Sequence, residues 1–327
     1  ALVDLPRGDM LEPTPRLVAF NGLAFDYKPE APQPERWRKF LSDLWPDDPA
    51  AAECLQEIMG YLLTPDTAQQ KIFLLVGPPR SGKGTIARVI RELVGPRNVC
   101  DPNLKSIGER FGLEAFLGKS VAIFNDARIG GRADFAAITE NLLRISGEDS
   151  VTVDRQHLKA VEQRLSTRIL ITTNELPRLP DAATALATRC VPIVMRRSFL
   201  GREDQALTEK LRDELPGILN WAIDGWRRLR ERGHFVPPES GVRAIEHIKA
   251  LASPVRAFVD DCCEVGASFT VRKDKLYAAF QEWASRNNEH PVAKNTFGEK
   301  LRAAVPEIDE ERPCIAGRRV RLYRGIA

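Results

Sequence analysis

The chain has 327 residues, 43% of them hydrophobic and 28% charged, with a formal net charge of +3. This is the make-up of an ordinary soluble protein of two domains or three small ones, and the charge is too mild to announce a nucleic-acid partner by itself. No apolar run is long enough to span a bilayer and the opening "ALVDLPRGDM" has no signal-peptide core, so a membrane or secreted protein is excluded and an intracellular, cytoplasmic one expected.

The first stretch is proline-rich and reads as an extended lead-in with one turn, "FNGLAFDYKP". From Glu35 to Leu63 the pattern turns helical, with Trp37, Phe40, Leu41, Leu44, Leu55, Ile58, Met59 and Leu62 at three-and-four spacing. Residues 1–69 are thus read as a lead-in and helical collar. "KIFLLV" (71–76) is an apolar strand leading into "GPPRSGKGT". The helix that follows has Ile86, Val89, Ile90 and Leu93 on one face and stops at Gly95 and Pro96. Three further strands are expected in "SVAIF" (120–124), "RILITT" (168–173) and "VPIVM" (191–195). Strands alternating with helices imply an α/β core with a largely parallel sheet over 70–199. Residues 200–252 read as a helical lid or connector. Residues 253–327 read as three helices and a basic hairpin, "CIAGRRVRLYRGI", turning at Ala316 and Gly317, a winged-helix-like module. The missing initiator methionine suggests a piece of a longer chain.

The six cysteines form no C-x-x-C pair and have no histidine pair nearby, so they read as reduced thiols rather than zinc ligands. The chemistry concentrates elsewhere. Gly77, Pro78, Pro79, Arg80, Ser81, Gly82, Lys83, Gly84 and Thr85 fall one substitution short of the Walker A pattern, G-x-x-x-x-G-K-[ST]. Strand, glycine loop and amphipathic helix together make an anion site, with Lys83 as a charge for β- and γ-phosphates. The alternative is a glycine-rich turn carrying a surface lysine. Gly84 stands where a hydroxyl normally ligates Mg2+, leaving Thr85 or a water to serve. "VAIFND" supplies Asp126 at a strand end to hold Mg2+ and orient water, with Asn125 where many ATPases have a first acid. "ILITTNELP" ends a strand with Asn174, and "ALATRC" places Arg189 before the last strand, as a possible arginine finger. "TVDRQHLK" is a basic run on a short hairpin-like segment, suited to phosphate contacts or else a solvated turn.

With the loop before it, the run from "GKSVAIFND" through "STRILITTNELP" to "ALATRCVPIVM" resembles the ATPase core of superfamily 3 helicases. The closest type is the phage and plasmid primase-helicases related to the poxvirus primase-helicase. The resemblance implies a P-loop, AAA+-like fold and a homo-oligomeric ring, typically a hexamer, that uses ATP and Mg2+ to move on single-stranded or forked DNA. It implies a primase or polymerase domain or partner, and a bacterial host carrying a phage, plasmid or other mobile element. Carried onto this chain, Lys83 is the Walker A lysine, Asp126 the Walker B acid, Asn174 the sensor and Arg189 the finger. Arg144, Arg155, His157 and Lys159 fall in the DNA-binding hairpin segment. In the C-terminal module Lys294, Lys300 and Arg302 lie on a possible recognition helix, and Arg318, Arg319, Arg321 and Arg324 on the hairpin, either as a wing meeting phosphate or as a protected edge. An origin-melting initiator ATPase is the second reading. An adenylate-kinase-type phosphotransferase, suggested by "GKGT", is the third.

Overall fold

The computed structural model describes residues 2–6, 9–12, 14, 22–125, 135–175, 183–251, 253–287, 291–315 and 318–327. Their contacts form two units, 1–177 with 185–245, and 178–184 with 246–327.

The first unit opens on a ribbon of β1 (Leu2–Asp4) and β2 (Asp9–Leu11), then α1 (Glu35–Leu44) and α2 (Pro49–Leu62). The sheet and its crossovers follow: β3 (Ile72–Val76), α3 (Lys83–Val94), β4 (Val99–Cys100), β5 (Val121–Phe124) and α4 (Phe135–Ser146). The strands β6 (Ser150–Arg155) and β7 (Leu158–Arg164) make a separate hairpin. Then come β8 (Arg168–Thr173), α5 (Ala183–Arg189), β9 (Cys190–Val194), α6 (Leu207–Arg212), α7 (Leu215–Arg232) and α8 (Glu239–Leu251), the division between the units falling within α5 and α8.

The five-stranded sheet has the order β4-β5-β8-β3-β9, with every pairing parallel. β3 and β8 are buried along their whole length, which is why they read as unbroken apolar runs. Because β8 lies between β3 and β5, the carboxyl ends of these three strands stand side by side on one edge. In open α/β sheets that edge is where ligands bind. The edge strand β4 is only two residues long, too short to show in the sequence pattern.

One core runs from Trp37 through α2, α3 and the sheet to Leu229 and Phe235, so the helices before and after the sheet share its interior. α2 and α7 approach through glycines. A Cβ at Gly225 would come within 2.5 Å of the Gln56 carbonyl, and one at Gly60 would collide with the Ala222 carbonyl. Beside them the buried Glu57 carboxylate accepts from Arg228 Nε at 2.7 Å and pairs with Arg232. Backbone cannot yield as a flexible side chain can, so Gly60→Ala should lower folding stability by about 1–3 kcal/mol, read as a lower urea midpoint.

The second unit contains α9 (Pro254–Cys262), β10 (Val265–Arg272), α10 (Lys273–Arg286), α11 (Lys294–Ala304), β11 (Asp309–Glu311), β12 (Cys314–Ile315), β13 (Arg318–Arg319) and β14 (Leu322–Ile326). β10-β14-β11 form an antiparallel sheet, and Phe258, Leu276, Phe280, Phe297, Leu301 and Tyr323 fill the core against it. Helix, strand, two helices and a returning hairpin is the order of a winged helix, with β12 and β13 as the wing. The turn expected at Ala316 and Gly317 lies outside the described residues. β10 escaped the sequence reading because no residue in it is fully buried and its end runs directly into α10. No described helix is long and apolar enough to cross a membrane.

Candidate nucleotide and nucleic-acid sites

β3 delivers the chain into the glycine loop at Gly77, whose N–H donates to Thr173 O at 3.2 Å. A side chain is impossible there, since a Cβ would lie 2.6 Å from Met195 O. Arg80 and Gly82 then take positive φ, 58° and 92°, and α3 begins at Lys83. Such alternation turns successive N–H groups to one concave side. Pro78 and Pro79 carry no N–H, so the donors come from Arg80 to Thr85. The loop is braced from two sides. Ser198 Oγ donates to Pro79 O at 2.8 Å, and Phe199 N–H to Arg80 O at 2.9 Å. Behind Gly82, α1 leaves so little room that a Cβ would sit 3.0 Å from Leu44 Cδ2.

Lys83 is 9% exposed, and its ammonium donates to Gly77 O at 2.6 Å, Pro78 O at 2.8 Å and Ser81 Oγ at 3.2 Å. A buried lysine at a helix N-terminus inside a glycine cradle fits the phosphates of a nucleoside triphosphate. Position 84 is different, because a Cβ there would meet only Arg88 Nη1 at 3.4 Å. Packing therefore does not require this glycine. The Thr85 hydroxyl, half-buried and one helical step on, accepts from Arg88 Nη2 at 3.3 Å.

Val76 is level with Thr173 in the β3/β8 pairing, so the half-buried Asn174 follows at the level of Gly77. β5 ends at Phe124, level with Ile171, and Asn125 comes next. Asp126 lies outside the described residues. Among those described, no three His, Cys, Asp or Glu side chains cluster to hold a metal. Asp101 was not singled out from the sequence, yet its Oδ1 accepts from Asn125 Nδ2 at 3.3 Å and pairs with Arg91 of α3. It follows the two-residue strand β4, so no apolar run flags it. Arg189 turns back into its own chain, donating through Nη1 to Leu143 O at 2.6 Å and Ser146 Oγ at 3.0 Å at the end of α4.

The β6/β7 hairpin is inserted between β5 and β8. Arg155, His157 and Lys159 come together around its turn, where Arg155 Nε donates to Lys159 O at 2.8 Å and His157 takes φ 60°. His157 and Lys159 are exposed, as is Leu158 at 62%. Arg144 stands apart at the hairpin's base, donating to Ser150 O at 3.1 Å. A neighbouring loop contributes Phe111, 43% exposed, with Arg110 over its ring. Arg110 pairs with Asp154 at 3.3 Å and Gln156 N–H donates to Glu114 Oε2 at 3.1 Å, which holds this loop beside the hairpin. The sequence signal for Phe111 was slight, a single aromatic next to an arginine.

In the winged helix, Lys294 pairs with Asp274 at 2.5 Å, Arg302 with Glu310 at 2.6 Å and Arg324 with Glu311 at 3.3 Å. Arg319 and Arg321 are exposed, and Arg318 is described by its backbone alone. Lys294 and Arg302 of α11 and Arg324 of β14 are thus compensated by neighbouring carboxylates.

An interior strand leading into the glycine loop, the parallel order β9-β3-β8-β5-β4 and a buried loop lysine define an α/β module with a P-loop-like core. Residues 75–189 match the model of a family of unknown function (DUF5906), and residues 252–315 match that of the Poxvirus D5 protein-like family. Solved apo structures of the NrS-1 C-terminal region share the fold. One, of residues 305–718, has a TM-score of 0.57 at 12% identity, over 96% of this chain and 79% of that one. An A-form structure has a TM-score of 0.55 with the same identity and coverage, and a second A-form structure has 0.54 at 12% over 91% and 77%. No curated protein matches the chain. The structural likeness supports the fold of the chain, and the two family matches cover its glycine-loop core and its C-terminal unit in part.

Proposed function

We propose that the chain is the ATP-driven DNA helicase module of a primase-helicase-type replication protein from a phage, plasmid or other mobile element, acting in the bacterial cytoplasm. The observation that carries this reading is a topological one: a basic hairpin is inserted in the chain between β5 and β8, and β8 pairs directly with β3, the strand that delivers the loop holding Lys83. The hairpin thus feeds into the amino end of β8, and the carboxyl end of the same strand stands beside the loop.

In this reading the N–H groups of Arg80 to Thr85, in the loop begun by Gly77, Pro78 and Pro79, and the Lys83 ammonium hold the phosphates. Asp126 and Thr85 hold Mg2+, directly or through water, and Asn174 positions the attacking water. ATP with Mg2+ supplies the free energy of phosphoanhydride hydrolysis. Arg189 reaches the nucleotide of a neighbouring copy in a homo-oligomeric ring, taken as a hexamer, so the site is completed between subunits. Arg155, His157 and Lys159 contact single-stranded DNA, with Arg144 bracing the hairpin and Phe111 offering a face on which a base can stack. Arg318, Arg319 and Arg321 of the wing meet the duplex arm of a fork through phosphate. A priming domain or partner belongs to the same machinery.

The test is ATP-dependent strand separation of forked DNA, with Lys83→Ala as the inactive control; separation that proceeds without nucleotide contradicts the proposal. For the hairpin, Lys159→Ala should weaken single-strand binding, and the slope of log affinity against log salt should become shallower by about 0.7. An unchanged slope would mean that Lys159 touches no phosphate. A second reading, an initiator ATPase that melts an origin and turns over slowly, is favoured by Gly84 and Asn125, which remove two of the usual metal-side groups.

A further inference from the structure

Asn125 occupies the strand-end position where many P-loop ATPases carry an acid, and an amide there faces a problem that a carboxylate does not. A carboxylate accepts from both oxygens, whereas an amide accepts only through Oδ1 and presents two donors at Nδ2. A metal-bound water is a donor, so only one orientation of the Asn125 amide can serve it. The other would aim N–H at O–H.

We infer that Asp101 is a positioning residue that makes Asn125 an acceptor toward the metal side of the nucleotide site. The inference rests on the nucleotide-site reading given above. Asp101 follows β4 on the outer flank of β5, while β8 and the P-loop strand β3 lie on the inner flank. Its Oδ1 accepts from Asn125 Nδ2 at 3.3 Å. A carboxylate can only accept, so it selects Nδ2 as its partner and commits Asn125 Oδ1 to the other side of the Cβ–Cγ axis, away from Asp101. Arg91 pairs with the same Asp101 oxygen and fixes it in place. Arg91 lies on α3, the helix that begins at Lys83, so one chain of contacts, α3 to Arg91 to Asp101 to Asn125, joins the phosphate-binding helix to the end of β5. The missing acid is thus replaced by a pair, an amide at the site and a carboxylate one strand out that orients it.

The experiment is calorimetric titration of ADP into the protein with excess Mg2+ and, separately, with chelator, for the wild type, Asp101→Asn, Asn125→Asp and the double variant. Asp101→Asn is isosteric but can donate as well as accept, so it releases the amide to flip. It should cut the Mg2+-dependent part of ADP affinity about tenfold, the usual scale for a residue that orients a metal-side group, while affinity in chelator stays unchanged. Asn125→Asp added to Asp101→Asn should restore the Mg2+ enhancement, because a carboxylate has no wrong orientation. The Mg2+ concentration for half-maximal hydrolysis should move in parallel.

An unchanged Mg2+ enhancement in Asp101→Asn overturns the inference. So does equal loss with and without Mg2+, which would make Asp101 merely structural, and so does failure of Asn125→Asp to rescue. Arg91→Gln, which frees Asp101 without touching the amide, should weaken the Mg2+ enhancement in the same direction; no effect there overturns the part of the inference in which Arg91 fixes Asp101. If instead Lys83→Ala binds ADP as well as the wild type, the nucleotide-site reading itself has failed, a separate outcome.

Discussion

Lys83→Ala should reduce ATP hydrolysis about 10²–10³-fold, the scale on which a single preorganised donor to developing negative charge is worth removing. Lys83 is 9% exposed, and its ammonium is held within the loop by Gly77 O, Pro78 O and Ser81 Oγ. Those acceptors hold the ammonium beside the loop and engage all three of its N–H donors, so at least one of these bonds is exchanged for a phosphate oxygen when nucleotide binds. Nucleotide affinity should fall as well. Pro78 and Pro79 leave the loop with fewer N–H donors than it has residues, and the lysine carries a correspondingly larger share. Lys83→Arg should not rescue, because a forked guanidinium does not fit a site shaped around a point charge. Steady-state turnover together with equilibrium nucleotide binding checks this, and unchanged turnover in Lys83→Ala would remove the loop from the mechanism.

Arg189→Ala should lower hydrolysis about 10³-fold or more and leave nucleotide affinity intact if the guanidinium acts on a neighbouring subunit's nucleotide. Within its own chain Arg189 caps the end of α4, through Leu143 O and Ser146 Oγ. These two roles differ in size. Giving up the cap costs about 1–3 kcal/mol, whereas a thousandfold rate gain corresponds to about 4 kcal/mol, so the finger contact outweighs the cap once a partner nucleotide is present. Mixed rings separate them: variant subunits should poison wild-type ones if Arg189 acts in trans. A lowered melting midpoint with turnover reduced less than tenfold would assign Arg189 to the cap alone.

The parts of the fold that were legible in the sequence are those whose signal is local. β3 and β8 are buried on both faces and appear as unbroken apolar runs, and α3 shows its buried face through Ile86, Val89, Ile90 and Leu93. The glycine loop was legible because its residues are contiguous and its conformation depends on Gly77 and Gly82 themselves. β4 was not, because a two-residue edge strand has no period to detect, and β10 was not, because its partly exposed residues carry little apolar contrast. Asp101 and Phe111 escaped for a different reason. Each gains its interest only from a partner brought near by the fold, Asn125 across β4 and β5 in one case and the β6/β7 hairpin in the other. Likewise the sequence displays the arginines and lysines of the winged helix but not the carboxylates that compensate Lys294, Arg302 and Arg324.

The most direct test of the central claim is steady-state ATP hydrolysis with and without single-stranded DNA, with the particle's mass measured in the presence of nucleotide. A helicase module predicts turnover stimulated by DNA in a ring-sized particle, with both the turnover and its stimulation absent in Lys83→Ala. A monomer whose slow turnover is indifferent to DNA would contradict it.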